Sequence, residues 1–203
     1  MTGQVGDIYR YFGEDYTIVA ISNPIEFDPA QYGIIPEAAN TACWAGYWCE
    51  YDISDRGIVL SNLYVNAKDA NYPPINGVSV QAEPKGKYYA YMGHHLYKGI
   101  DIPMDYTGRI VAGAGFLSKY YIHMGYQRAW AYETLIEFVF DKGCLVETVD
   151  YSIDAANIRR GILDNPAGLD GRKQEDVEKF VADSFSLDYR VKLWWLDRAK
   201  DNA

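Results

Sequence analysis

Cysteine is scarce. Three residues, Cys43, Cys49 and Cys144, are an odd number, and no CxxC pair is present. A chain of 203 residues is large enough to fold on its own core without staples, so the expectation is reduced, mostly buried thiols. One bridge plus one free thiol is the alternative. Long apolar runs are missing too: nothing approaches the roughly 20 residues of a membrane-spanning helix. The opening segment MTGQVGDIYR carries neither the basic nor the apolar region of a secretory leader. A cytoplasmic protein with no membrane partner is the reading these absences favour.

Positive charge is short as well. Lys and Arg number 19 against 28 Asp and Glu, for a net charge of −9. Residues 172–203 hold seven basic and seven acidic side chains, so the whole excess belongs to the first 171 residues. A body this acidic repels phosphate backbones, and no Lys/Arg stripe offsets it, which argues against a nucleic-acid partner. It suits a cationic protein partner, or solubility alone. Catalytic signatures are absent in the same way. There is no HExxH, and the GAGFLSK segment around Gly113-Ala114-Gly115 lacks the third glycine of GxGxxG and does not fit GxxxxGK[ST]. No cofactor is expected.

Aromatic residues are abundant: 19 Tyr, 5 Trp and 7 Phe. The strongest local pattern is Trp130 to Val149. Trp130, Tyr132, Thr134, Ile136, Phe138 and Phe140 alternate with Glu133 and Glu137, the period-two mark of a half-buried strand. Asp141-Lys142-Gly143 turns and Cys144–Val149 returns. On this reading Phe138 faces the core and Glu137 faces solvent, so Glu137→Gln is expected to change stability by less than about 0.5 kcal/mol.

Two further hairpins follow the same grammar: Ile8–Phe12 with Tyr16–Ile21 around a Gly13-Glu14-Asp15 turn, and Tyr47–Ser54 with Ile58–Val65. Residues 24–40 read as a loop with one helical turn after Asp28-Pro29. Short strands are predicted at Gly77–Val80 and Ile110–Ala112, and a short helix over Phe116–Met124 with Gly125 as its cap. Beyond the central hairpin the pattern becomes helical: a helix capped by Asp154 with Ile158 and Ile162 on one face, then an amphipathic helix over 173–185. Residues 187–197 fit a helix or an edge strand. The fold class is therefore α+β in a single domain of 203 residues with an antiparallel β-meander body over 1–152, open or curled into a partial barrel, and helices mainly in 153–203. The second hairpin also resembles the central one. A shift of 86 residues aligns Trp44-Ala45 and Gly57 with Trp130-Ala131 and Gly143; a shift of 87 aligns the alternating faces, Tyr51 with Phe138.

Candidate chemistry is sparse. His94, His95 and His123 are the only imidazoles; with Asp101 or Glu133 they supply the ligand types of a catalytic zinc site, though without its usual spacing. His123 could also meet Cys43 or Cys144 as a nucleophile pair. Glu133 and Glu137 are the candidate acid-base carboxylates, with His123 beside them. Tyr88, Tyr89, Tyr91, Tyr120 and Tyr121 form aromatic clusters suited to a binding surface. The sequence thus favours a soluble, acidic, tyrosine-rich protein that recognises another protein, as inhibitors and immunity proteins do. A small-molecule-binding sheet or a metal-dependent enzyme built on the histidines are the alternatives.

Overall fold

Alternating apolar residues and glycine-bearing turns lay down strands over most of the chain, and the computed structural model describes residues 2–25, 27–82, 95–164 and 174–193. Eight strands follow in order: β1 (Ile8–Tyr11), β2 (Glu14–Ile21), β3 (Tyr47–Ser54), β4 (Gly57–Val65), β5 (His95–Pro103), β6 (Gly108–Phe116), β7 (Tyr132–Asp141) and β8 (Cys144–Asp150). Three helices come last: α1 (Ser152–Asp164), α2 (Gln174–Phe185) and α3 (Tyr189–Lys192). The strands form one sheet in the order β5-β4-β3-β1-β2-β6-β7-β8. Its neighbours are antiparallel except β1 and β3, which run parallel with Tyr9 opposite Tyr51.

That parallel pair is where the sheet departs from a simple meander. Residues 22–46 carry the chain from the end of β2 past β1 to start β3 on its far side. The connection is pinned by a single 3-10 turn at Pro29–Tyr32, whose Asp28 carboxylate accepts from the Ala30 N–H at 2.9 Å.

Both faces of the sheet are covered. On one, Tyr9, Leu60, Ile110, Phe138 and Phe140 lie in the main core, the leucine, isoleucine and phenylalanines each stabilising the fold by roughly 1.5–3 kcal/mol through burial. On the other, Val19, Val111 and Leu135 pack beneath Ala155 of α1 and Leu193 at the end of α3. Farther along that second face Trp48 stacks on Tyr64, ring centroids 3.9 Å apart. The sheet curls enough for two hairpin tips to touch: the Ile58 N–H donates to the Gly143 carbonyl at 3.0 Å. A Cβ on Gly57 would fall 2.1 Å from that same oxygen, so the approach requires glycine. The curl does not close a barrel. β5 and β8 are the two edges, and the sheet is open.

Several local expectations are corrected. Gly77–Val80 is not a strand; Asn76-Gly77, both with positive φ, turn between the bridged residues Ile75 and Val78. Phe116–Met124 is not a helix: Phe116 ends β6, and 117–124 form a loop containing one 3-10 turn at Ser118–Tyr120. The glycines around Ile110–Ala112 lie inside β6, because a Cβ on Gly113 would sit 2.4 Å from the Tyr132 ring; the GAG segment is strand, not a phosphate loop. β5 is unanticipated. Trp130 lies in a 3-10 turn before β7. Helix α1 begins at Ser152, two residues ahead of the Asp154 cap, with the Ser152 N–H donating to Asp150 at 2.8 Å. Of residues 187–197, Tyr189–Lys192 take the helical option, and 194–197 lie outside the described residues. No helix among the described residues is long and apolar enough to cross a membrane.

Candidate functional site

Glu137 is the largest correction. It is fully buried, because the second face of β7 lies under α1 and α3 instead of facing water. Arg109 Nη1 on β6 donates to its Oε2 at 2.9 Å and the Tyr151 hydroxyl donates to the same oxygen at 3.3 Å. Tyr189 of α3 donates to Oε1 at 2.5 Å. Burial, reinforced by the carboxylate, pushes the Tyr151 and Tyr189 hydroxyls up, so both remain donors at neutral pH. The carboxylate in turn holds Arg109 in its charged form. With both oxygens engaged, Glu137 is an anchor that fastens the C-terminal segment to the sheet. Glu133, on the same face four residues earlier, is exposed beside Gly115 and does not join it.

Glu50 on β3 repeats the arrangement. It too is buried, accepting from Asn62 Nδ2 at 2.5 Å and from the Tyr64 hydroxyl at 3.2 Å, with Arg10 Nη2 of β1 at 4.0 Å.

A pocket opens where β1 and β3 begin. The segment before β1, the 43–48 stretch, Tyr126 and Leu187 enclose a cavity of about 130 Å³. It is held together by backbone bonds from Gln4 N–H to Gly125, Val5 N–H to Ala42 and Ile21 N–H to Leu187. Asp7 supplies a carboxylate to its wall, beside Trp44, Trp48 and Cys43. Asp7 Oδ1 accepts from the Cys49 N–H at 2.8 Å, yet burial outweighs that bond and raises the carboxyl to about 6. No described Lys, Arg or His lies within ion-pair distance of it. The Cys43 thiol donates to the Tyr47 carbonyl and burial pushes it up to about 11, so it is not an activated nucleophile.

The opposite end of β1 carries a different feature. Tyr11 pairs with Glu14, leaving Phe12-Gly13 as a two-residue turn with φ of +49° and +81°. These are the angles of a type I′ turn, which favours Asn, Asp or Gly at both places. Phe12 instead holds the left-handed conformation at a steric cost while 85% exposed, with the Tyr11 ring, at 4.4 Å, its only aromatic contact among the described residues.

The sequence candidates are dispersed. His95 opens β5 and packs on Tyr72 at 4.3 Å, whereas His123 lies in the loop before β7, edge-on to Tyr121 at 4.8 Å. Asp101 is exposed on β5. Among the described residues no three His, Cys, Asp or Glu side chains are placed to hold a metal. Tyr120 meets Trp130 edge-on at 5.2 Å and Tyr121 is exposed beside Phe116. Tyr88, Tyr89, Tyr91 and His94 lie outside the described residues. Asp7, Phe12, Arg109, Tyr151 and Tyr189 were not singled out by sequence. For Phe12 a signal existed, a bulky residue immediately before the turn glycine. Neither a protein-family model, nor a curated protein, nor a solved structure matches this chain.

Proposed function

We propose that the chain is a binding protein that docks on a cationic protein partner, inhibitor-like, through the hairpin tip at Phe12. The observation that carries this reading is the combination of strain and exposure at one residue. A phenylalanine in a left-handed turn position is neither what the turn prefers nor what the core needs, and backbone strain of this kind gathers where function demands it. A rigid aromatic side chain projecting from a hairpin suits the role of an anchor in a partner's pocket. Its surroundings set the partner's sign. Register places Tyr11 beside Ile53 of β3, so the tip neighbours the β3–β4 turn. Together the two hairpins carry Glu14, Asp15, Asp52 and Asp55 against Arg10 and Arg56. Acid around an apolar anchor accelerates encounter with a basic surface and rejects acidic ones.

Phe12→Asn gives the tip an Asn-Gly sequence, the favoured type I′ pair. Relief of strain is expected to stabilise the fold by about 1 kcal/mol, while the anchor is lost. In affinity capture at low salt, the native chain should retain a basic protein that Phe12→Asn does not, and high salt should release it. A partner held equally by both chains refutes the assignment of the tip, and this outcome is not confused with misfolding because the variant is the more stable protein.

A further inference from the structure

The pocket at the start of β1 lies away from the Phe12 tip and has a chemistry of its own. Its wall combines one carboxylate, Asp7, with the indoles of Trp44 and Trp48 and the phenols of Tyr47 and Tyr126. Among the described residues lining the cavity Asp7 is the only charged one; Cys43 beside it stays a protonated thiol, and no described Lys, Arg or His pairs with it. Trp44 is fixed from behind by Phe185, whose ring stacks on it with centroids 5.3 Å apart; Trp48 is fixed by Tyr64. A carboxylate with a single backbone donor among the described residues, set beside stacked aromatic rings, is a counter-charge without its cation. Aromatic walls add to the attraction for a cation and penalise an anion.

We propose that this pocket is a binding site for an alkylammonium group, with Asp7 as its counter-ion and the tryptophans as its walls. The cavity of about 130 Å³ fixes the size of the guest. A cavity of about 150 Å³ admits benzene, so the part of a guest that enters is a chain of four or five heavy atoms ending in an ammonium. The same group occurs in small free amines and at the end of a lysine side chain. Because Asp7 gains its proton near pH 6, occupancy should fall as the solution is acidified through that range, although the guest itself stays charged.

The test is a titration of the full chain with n-butylammonium chloride, followed by tryptophan fluorescence and by calorimetry at pH 8 and pH 5. Saturable binding at pH 8 is expected, weaker at pH 5 by about tenfold and weaker by a similar factor in Asp7→Asn, whose amide oxygen can still accept from the Cys49 N–H and hold the fold. Neutral n-butanol should not compete. Comparing n-butylammonium with Nα-acetyl-lysine amide tells the two sources apart: tighter binding of the free amine points to a small metabolite, tighter binding of the lysine derivative to a partner's side chain. No binding of either, equal binding of n-butanol, or an affinity unchanged in Asp7→Asn overturns the assignment. Phe12→Asn should leave this titration unaltered, so the pocket stands or falls independently of the hairpin tip.

Discussion

Replacing Glu137 with Gln tests the buried anchor most directly, since the two side chains share a shape and differ in charge and in one acceptor. In the native protein the carboxylate receives three donors, from Arg109, Tyr151 and Tyr189. An amide can keep its oxygen toward Arg109 and turn its NH2 to Tyr189, whose hydroxyl reverses to accept. The number of bonds is nearly preserved, but their charge assistance is lost. Bonds to ionised groups contribute about 1.5–3 kcal/mol and neutral ones about 0.5–1.5 kcal/mol, so each weakened bond costs about 1 kcal/mol. The share of Arg109 must be discounted, because its side chain is 47% exposed and recovers hydration when its partner weakens. A total near 2 kcal/mol follows from the two tyrosines and the residue of the arginine term. For a chain of this length that corresponds to a fall in Tm of about 4–8 °C. Glu137→Leu, which strands all three donors, should cost about 3–5 kcal/mol. Urea unfolding followed by tryptophan fluorescence, with an unchanged slope, gives the numbers. Tyr189→Phe should cost about 1 kcal/mol alone and less in the Gln background, because both changes remove the same bond. If Glu137→Gln moves stability by less than about 0.5 kcal/mol, the side chain is solvated as simple alternation implied, and the anchoring of α3 is wrong.

Three other measurements follow from the core and the pocket. Phe138→Ala, at a side chain with no exposed surface, should cost about 3–5 kcal/mol in the same urea assay. All three cysteines are free, with Cys43 and Cys49 buried and Cys144 exposed; thiol titration without reductant should therefore count one prompt thiol in the native protein and three after denaturation, and a single thiol after denaturation would contradict the structure. The Asp7 carboxyl is raised from 3.8 to about 6, so the folded chain binds more protons than the unfolded one between those values and the slope of stability with pH is negative there. The native chain should lose at most about 3 kcal/mol as pH rises from 4 to 6; Asp7→Asn should lose none of it, and parallel pH–stability curves for the two proteins would show that Asp7 is not desolvated.

The hairpins were readable because their determinants are local. Alternation and a turn glycine place β3, β4, β7 and β8 within a residue or two, and Asp28-Pro29 places its 3-10 turn. β5 escaped because it breaks the period it would be recognised by: Gly99 and Asp101 both have positive φ, and its register against β4 shifts between Leu60 and Asn62. β6 was shortened for a different reason. Its glycines look like strand ends until Tyr132, on the neighbouring strand, is known to lie against Gly113. The parallel pairing of β1 with β3 depends on where a connection of residues 22–46 returns, and no local pattern records that. Phe12 was assigned to the strand, which moved the expected turn one place along to Gly13-Glu14-Asp15; the pairing of Tyr11 with Glu14 puts it in the turn itself.

Glu137 failed as a prediction for a reason that can be stated physically. Alternation tells which residues share a face, not whether that face is wet, and here the cover comes from helices that follow in the chain. A second signal was nevertheless present. The shift of 87 residues that aligns Tyr51 with Phe138 also aligns Glu50 with Glu137 and Tyr64 with Tyr151. In both hairpins the tyrosine 14 residues after the glutamate donates to its carboxylate, and an arginine on the adjacent strand, Arg10 or Arg109, stands on the other side. The competing shift of 86 aligns Trp44, exposed on a loop, with Trp130 in a 3-10 turn, positions with no common role. A glutamate placed on a sheet face and followed at fixed spacing by a tyrosine brings its own donor, which a solvated glutamate has no need of. Read that way, the repeated Glu–Tyr spacing distinguishes the two buried carboxylates from Glu133, which has no tyrosine 14 residues on and is exposed.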